Sequence, residues 1–245
     1  MKKFFKFKPD RTTGITLLLG IASIALSFLL KYAQSDFAWF IIRDVFQISM
    51  IGLIFPFIIL ARDKSNFFHA GLRFDKPIKY VAISIILGAL LSINFIMRIT
   101  DPSSLLSTPT IIRASIIMAA NIYELIFFFV FLTFYFEKAF GAIPAVILSS
   151  AFYWLHHIGF QPEFELFIIG IVFITIFRIA KHWLICIPLW WIGGLGDVLI
   201  TSADSANTAH VVWWRSAFIA GVILIMFYLK YPFGVKQTYE KNITS

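Results

Sequence analysis

Long apolar stretches, separated by short polar ones, constrain the fold of this chain more than any other feature. A helix that crosses the hydrocarbon core of a bilayer needs about 20 predominantly apolar residues. Eight stretches approach that length: Ile15–Leu30, Phe37–Leu60, Ile78–Met97, Ile111–Phe134, Ala139–His157, Phe164–Ala180, Trp183–Ile200 and Val211–Leu229. The sequence therefore predicts an all-α polytopic membrane protein with about eight transmembrane helices.

The composition favours a lipid environment over water. Hydrophobic residues make up 60% of the chain and charged residues 14%, whereas soluble domains contain about 45–50% apolar and about 25% charged residues. Intrinsic disorder requires the opposite bias, low hydrophobicity with high net charge. The first apolar stretch follows a basic segment, as in a secretory signal peptide, but no small-residue cleavage pattern follows it. We therefore expect an uncleaved membrane anchor.

The positions of the basic residues predict the orientation of the chain. Its 21 lysines and arginines, against 13 acidic residues, give a formal charge of +8. With the N-terminus in the cytoplasm, most of these basic residues fall in alternate segments on the cytoplasmic side, as the positive-inside rule requires. Both termini are then cytoplasmic, in a bacterial cytoplasmic membrane. Topology and contact with anionic membrane lipids explain the basic excess, so no nucleic-acid partner is expected.

The chain is expected to form one membrane domain over residues 1–245. A basic cytoplasmic N-terminus occupies residues 1–14, an eight-helix bundle residues 15–229, and a cytoplasmic tail residues 230–245. The longest polar stretch, Ala61–Pro77, is too short to form a separate soluble domain.

Charged side chains at membrane depth are costly and usually face a protein interior or a cavity. Arg43 and Asp44 lie near the outer end of the second stretch. As helix neighbours they point about 100° apart and need not pair with each other, so an interface anchor or an interhelical ion pair is favoured over a functional role. Asp197 follows three glycines in Gly193–Asp197, and either close helix packing or an ion or ligand site fits that pattern.

Glu124 is the acidic residue best placed for chemistry. It lies inside the fourth stretch, with Asn121 one turn earlier on the same helix face. His156 and His157 close the fifth stretch, which returns antiparallel after a tight turn near Phe136–Ala139. With a rise of about 1.5 Å per residue, Glu124 and His157 differ in height by about 9 Å, which two long side chains can bridge.

A glutamate that meets a histidine in a membrane cavity predicts general acid–base chemistry. Glu124 would activate a water, and a histidine would hold that water or the developing oxyanion. Adjacent histidines are not expected to face one cavity together, so one of His156 and His157 would be the working residue. A protonated Glu124 hydrogen-bonded to a neighbouring helix is the structural alternative. A metal is disfavoured and no cofactor is expected, because adjacent histidines lack the His-x3-His spacing and no H-E-x-x-H motif is present.

These residues together resemble the CAAX-protease and bacteriocin-processing family of glutamate intramembrane endopeptidases. The family's motifs run E-E-x-x-x-R, F-x-x-x-H, a glycine-bearing helix and H-x-x-x-N, on an eight-helix fold. The matching elements of this chain are Glu124, the Phe140-Gly141 turn, Phe152-x-x-x-His156 with His157 beside it, Gly170 and the Ala70–Phe74 loop. The resemblance extends from Ala70 to Ile200, with a family-like core at residues 111–200.

The resemblance implies that Glu124 activates the water and that His157, or His156 by the literal motif, is its partner. The second glutamate of the first motif falls on Leu125 and the arginine on Phe129. Both of these positions therefore depart from the family's pattern.

The last motif departs further from the family. Counting from Gly170 puts its histidine on Trp190 and its asparagine on Gly194, and a small insertion would put Asp197 at the asparagine position. The oxyanion-binding end is therefore expected to be missing or rebuilt. We predict a substrate or oxyanion pocket formed by Asn121, Trp190, Trp191 and Asp197.

Three functions fit these features. The first, placed slightly ahead, is an intramembrane endopeptidase acting on a lipidated or membrane-anchored peptide. The second is an acyl-transfer enzyme on the same scaffold, acting on lipid or lipoprotein. The third is a catalytically degenerate immunity or regulatory membrane protein in which Glu124 is structural. The expected partners are membrane lipids and the substrate, and the oligomeric state is left open.

Overall fold

The computed structural model describes residues 4–62, 64–73, 75–96, 115, 118–119, 121–159, 164–187 and 213–230. Throughout these ranges the backbone forms helices, turns and short irregular connections, without a strand. The predicted all-α class is therefore confirmed for the described part of the chain.

The helices follow the order of the apolar stretches. The α-helices are α1 (Arg11–Leu29), α2 (Asp36–Trp39), α3 (Phe55–Ala61), α4 (Lys64–His69), α5 (Pro77–Ile96), α6 (Thr133–Phe140), α7 (Ala142–Leu155), α8 (Glu165–Ala180) and α9 (Trp213–Lys230). Two π-helices lie among them: π1 (Phe40–Ile54) joins α2 to α3, and π2 (Leu125–Leu132) leads into α6. Short 3-10 turns occupy Leu30–Tyr32 and Trp183–Ile185.

Within the part of the chain that the structure describes, two continuous helical segments are long and apolar enough to cross a membrane, judged by length and composition. They are Arg11–Tyr32, of 22 residues, and Asp36–Ala61, of 26 residues, and they correspond to the first two predicted stretches. Shorter apolar helices cover Pro77–Leu90, Ala142–Leu155 and Trp214–Met226. The count of eight spans stays a prediction, since several of the predicted stretches extend beyond the described residues.

The two faces of α1 are inverted relative to those of a helix in a water-soluble protein. Its buried positions are small or hydroxylated: Thr13, Thr16, Gly20, Ser23 and Ser27. Its exposed positions include the large apolar side chains of Leu17, Leu18, Ile21, Phe28 and Leu29. Small residues at helix interfaces in lipid allow close backbone approach, and hydroxyl groups bond across the interface. At Gly20 an added Cβ would come within 2.7 Å of the Phe152 ring, so any larger residue there would force the ring to shift at this contact between α1 and α7.

The helices α6 and α7 form a hairpin that turns at Gly141, slightly later than the predicted turn at Phe136–Ala139. Gly141 has a φ of 93°, a conformation that glycine adopts readily and other residues rarely. An added Cβ there would lie 2.6 Å from the Phe4 carbonyl oxygen. The hairpin places the end of α7, with its two histidines, among α1, π1 and the residues before π2.

Both π-helices adjoin buried polar residues. Helical bonding of the i→i+5 type is rare in proteins. Where it does occur, it is often at a functional site. Asp44 and Gln47 are buried on π1, and π2 begins directly after Glu124. All residues of π2 are buried. Glu124 therefore stands at the N-terminal end of a wholly buried apolar segment.

Candidate active site

The structure brings together the three residues that the sequence predicts as catalytic. Glu124, His156 and His157 are buried, with 5%, 0% and 6% of their surfaces exposed. One ligand atom of each lies within 4.8 Å of those of the other two. Glu124 belongs to the helical turn before π2, and the histidines belong to the turn that follows α7. The packing of these two segments therefore forms the cluster.

His157 faces the carboxylate of Glu124. Its Nε2 lies 3.8 Å from Glu124 Oε1, and its Nδ1 lies 2.8 Å from the carbonyl oxygen of Tyr153. Because a carbonyl oxygen only accepts hydrogen bonds, Nδ1 carries the proton, and Nε2 of the neutral ring presents a lone pair toward Glu124. The two catalytic candidates thus face each other at a distance longer than a direct hydrogen bond.

The contacts of His156 place its ring proton on the other nitrogen. Its Nδ1 lies 2.9 Å from Gln47 Nε2 and 3.1 Å from Ser23 Oγ, and its Nε2 lies 2.5 Å from the Tyr123 hydroxyl. Gln47 Nε2 also donates to the Ser23 carbonyl oxygen at 2.8 Å, which identifies it as the amide nitrogen. Since an amide nitrogen only donates, Nδ1 of His156 accepts and the ring proton is on Nε2.

Tyr123 connects His156 to Glu124. With the ring proton on Nε2, the Tyr123 hydroxyl accepts from His156 and donates its own hydrogen to Glu124 Oε1, 3.4 Å away. A directed chain of hydrogen bonds therefore runs from Gln47 through His156 and Tyr123 to the carboxylate. Each bond in such a chain polarises the next, so Gln47 sets the direction in which Tyr123 donates.

Both adjacent histidines lie near Glu124, and of the two it is His157 that faces the carboxylate directly, so the expectation of one working histidine stays a prediction. The regular part of α7 ends at Leu155, and both histidines lie in the turn that follows it. Their rings pack edge to face, with centroids 5.0 Å apart. The Glu124 carboxylate lies within 4.8 Å of a ring nitrogen of each histidine. His157 approaches the carboxylate directly, and His156 acts on it through Tyr123.

The same three side chains could hold a metal ion. Two imidazole nitrogens and a carboxylate oxygen suit Zn²⁺ with an open fourth position. Coordination through Nε2 of His156 would displace the Tyr123 hydroxyl, and coordination through Nδ1 would displace the contacts to Gln47 and Ser23. The donor set is therefore suitable in kind, but His156 would have to leave its hydrogen-bond network to bind a metal.

A second buried polar cluster lies along π1. Asp44 is fully buried, and its carboxylate pairs with Arg43 Nη1 at 3.0 Å and with Nε of Arg215 on α9. The interhelical ion pair favoured by the sequence is therefore confirmed. Arg43 also pairs with its chain neighbour, because its long side chain can reach the adjacent carboxylate. The cluster fixes α9 against π1 one turn from Gln47.

His182 is a third buried histidine, outside the site, in the connection after α8. Its Nε2 donates to the Asp75 carbonyl oxygen at 2.8 Å, and its Nδ1 accepts from the Leu184 backbone N–H at 3.3 Å. The ring stacks on Tyr80, with centroids 4.0 Å apart. Burial lowers the pKa of His182 below its ordinary value, although the hydrogen bond to Asp75 acts in the opposite direction.

The predicted substrate or oxyanion pocket is described only in part. Asn121 is half-buried, one turn before Glu124. Trp190, Trp191 and Asp197 lie outside the described residues. Their contribution to a pocket therefore stays a prediction.

Sequence reasoning missed the residues that surround His156. Gln47 is a polar side chain in the interior of a predicted span, which is the same signal that singled out Glu124. Ser23 belongs to a stripe of small and hydroxylated residues along α1, a pattern typical of helix interfaces in lipid. Tyr123 precedes Glu124, and nothing in the sequence distinguishes it from the other tyrosines.

Comparison of the chain with protein-family models, with curated proteins and with solved structures finds no match. The assignment of a function therefore depends on the geometry of the site and on the sequence.

Proposed function

We propose that this chain is a polytopic membrane hydrolase in which Glu124 activates a water molecule that His157 holds. The observation that carries the proposal is the separation of 3.8 Å between Glu124 Oε1 and His157 Nε2 in a buried site. A single water can lie about 2.8 Å from both atoms, at normal hydrogen-bond length. One of its hydrogens would then point to the carboxylate and the other to the imidazole lone pair.

In the proposed reaction the water oxygen attacks the carbonyl carbon of a peptide bond while Glu124 takes up the water proton. The tetrahedral intermediate then loses the amine as its C–N bond breaks, and Glu124 returns the proton to the leaving nitrogen. The products are a carboxylic acid and an amine, and Glu124 is regenerated.

The position of the ring proton supports one of the two roles considered for the histidine. With its lone pair toward the site, His157 is suited to orient the water by accepting a hydrogen bond. Donation to an oxyanion would require a proton on that same nitrogen. Tyr123, oriented by His156, acts as a positioning residue, because its hydroxyl hydrogen bonds the carboxylate oxygen that faces His157.

Membrane placement is part of the proposal. The outward-facing apolar side chains of α1, the two helices of spanning length and the eight apolar stretches of the sequence support it. A substrate for a site buried among such helices would enter from the bilayer, so we infer a lipidated or membrane-anchored peptide. The resemblance of Glu124 and the histidine pair to the CAAX-protease and bacteriocin-processing motifs supports a peptide bond as the target.

The test compares membranes from cells that produce the wild-type chain or its Glu124→Gln variant, suspended in water enriched in ¹⁸O. Mass spectrometry of peptide ends is expected to find new N-termini with the wild-type chain only, and one ¹⁸O atom in each matching new carboxyl group. Glu165→Gln is the matched control, because it makes the same change at an exposed position in the first turn of α8. It should behave like the wild-type chain.

Other outcomes would assign a different function. Equal cleavage by Glu124→Gln would overturn the proposal. Acylated lipid or lipoprotein products without ¹⁸O would indicate acyl transfer. Unchanged cellular function of a triple variant, Glu124→Ala with His156→Ala and His157→Ala, would indicate a non-catalytic immunity or regulatory role.

A further inference from the structure

The amino-terminal segment, residues 4–8, is docked through its backbone on the turn between α6 and α7. The Lys6 N–H donates to the Phe140 carbonyl oxygen at 2.9 Å, and the Lys8 N–H donates to the Ala139 carbonyl oxygen at 2.8 Å. This basic segment is therefore a fixed part of that end of the helix bundle, and Lys6 occupies a defined position there.

Two cavities adjoin the docked segment, and Lys6 lines both of them. The first, the basic cavity, has a volume of about 250 Å³. Its ionisable lining residues are Lys6, His69, Lys138, Arg178, Lys181 and Glu137. The second, the apolar groove, has a volume of about 400 Å³ and is otherwise lined by Phe5, Phe7, Phe140, Pro144, Ile147 and Leu148. A positively charged cavity and an apolar groove thus meet at one lysine.

The basic cavity keeps an excess of positive charge after its internal pairing. Among the described residues that line it, Glu137 is the one acidic group, and it pairs with Arg178 at 3.2 Å. Lys138 donates to the neutral amide oxygen of Asn66 at 3.3 Å. Lys138 also interacts electrostatically with Asp10, and the charges of Lys6 and Lys181 remain to attract an anion.

We propose that this joined site binds an anionic phospholipid, with its phosphate headgroup in the basic cavity and part of an acyl chain along the apolar groove. The occupant must combine negative charge with an apolar chain, because Lys6 connects a cationic surface to a hydrophobic one. Basic residues at the level of the headgroups attract anionic lipids of the cytoplasmic leaflet. Lys138, between the fourth and fifth apolar stretches, belongs to the side that the charge distribution predicts as cytoplasmic.

The inference depends on the proposed membrane placement and not on the proposed hydrolysis. The lipid site lies at the start of α7, and the Glu124 cluster lies beyond its end. The 14 residues of α7 separate the two sites by about 21 Å along the helix axis.

Native mass spectrometry of the full chain in neutral detergent, with equal amounts of phosphatidylglycerol and phosphatidylcholine of identical acyl chains, tests the site. Adducts of phosphatidylglycerol should dominate. Lys6→Gln and Lys138→Gln should each weaken phosphatidylglycerol binding about fivefold, the effect of one basic residue near a charged headgroup. Lys8→Gln is the matched control, because it removes the same charge from the same segment outside the cavity, and it should leave binding unchanged.

Further measurements distinguish specific binding of phosphatidylglycerol from binding of free phosphate and from non-specific binding of any lipid. Inorganic phosphate, at the same concentration as the lipid, should fail to displace phosphatidylglycerol, and its success would show that the cavity binds phosphate alone. Ile147→Ser should weaken binding of the lipid by removing part of the apolar groove. Equal binding of the two lipids, or equal losses in Lys6→Gln and Lys8→Gln, would overturn the proposal. The ¹⁸O experiment reports on Glu124 separately, so failure here leaves the hydrolase proposal standing.

Discussion

His156 and His157 are consecutive in the chain and similarly withdrawn from solvent, but their surroundings differ. Both ring nitrogens of His156 contact side chains of other helical segments. His157 is held at Nδ1 by the Tyr153 carbonyl oxygen of α7 and directs Nε2 at Glu124. Burial alone therefore does not distinguish a structural histidine from a reactive one. Two features separate the two histidines. One is which ring nitrogen carries the proton, and the other is which group faces the second nitrogen.

The difference also shows how, in the proposed active site, a buried polar network contacts the Glu124 carboxylate through one of its members, Tyr123. Gln47 has a fixed donor role, because it also bonds the Ser23 carbonyl oxygen. That role places the proton of His156 on Nε2 and directs the Tyr123 hydroxyl toward Glu124. In a low-dielectric interior such bonds are stronger than in water, and the network reaches the carboxylate through the 3.4 Å contact of Tyr123 with Glu124.

Of the two adjacent histidines, His157 should have the larger effect on the rate of hydrolysis when it is replaced. His157→Leu is expected to lower the rate of hydrolysis about 10²-fold, because leucine has no lone pair to orient the water. The rate of formation of new peptide N-termini measures this effect, and thermal unfolding of the purified variant in detergent checks that the fold is retained. A folded His157→Leu variant with the wild-type rate would show that His157 takes no part in the reaction.

Replacement of His156 should act mainly on stability. His156→Leu leaves the amide of Gln47 and the hydroxyl of Tyr123 buried without their histidine partner, so we expect the free energy of unfolding to fall by about 1–3 kcal/mol. Chemical denaturation in detergent measures this loss. Adding Gln47→Leu should recover part of it, since removing both partners of a buried hydrogen bond is less harmful than removing one. A larger loss in His157→Leu than in His156→Leu would reverse the comparison.

His182, a buried histidine outside the site, should make a smaller contribution, which appears in the pH dependence of the free energy of unfolding. Its pKa is lower in the folded chain than the ordinary value of about 6.5, so the unfolded chain binds more protons as the pH falls below that value. The free energy of unfolding should therefore decrease with falling pH from about 6.5 down to the folded pKa. His182→Asn, which keeps an acceptor for the Leu184 N–H, should remove this part of the dependence. Parallel pH curves for the two proteins would contradict the assignment.

Helix positions could be predicted from the sequence because apolar stretches end at charged or turn-forming residues. The predicted span Phe164–Ala180 corresponds to α8, and Val211–Leu229 corresponds to α9, within two residues at each end. The π-helical bonding of π1 and π2 could not be predicted in this way. Hydrophobic periodicity reports an apolar helix, and the choice of i→i+5 bonding depends on how neighbouring helices pack against it.

The candidate site could be predicted only for the residues that stand out chemically. Glu124 and the histidine pair are ionisable groups in an apolar background, so their positions alone single them out. The partners of His156 could not be predicted, because Ser23 and Gln47 are 133 and 109 residues away from it in the sequence. A helical pattern shows which residues share a face and leaves open which faces meet. For the adjacent histidines, the same pattern left open which one faces Glu124, because both lie in the turn beyond α7.

The protonation of the two histidine rings is the measurement that tests the central claim most directly. The full chain, labelled with ¹⁵N-histidine and reconstituted in lipid, can be examined by nuclear magnetic resonance near neutral pH, with His156→Gln and His157→Gln used to assign the signals. The account predicts a proton on Nε2 of His156 and on Nδ1 of His157. The same tautomer at both positions, or a proton on Nε2 of His157, would contradict it.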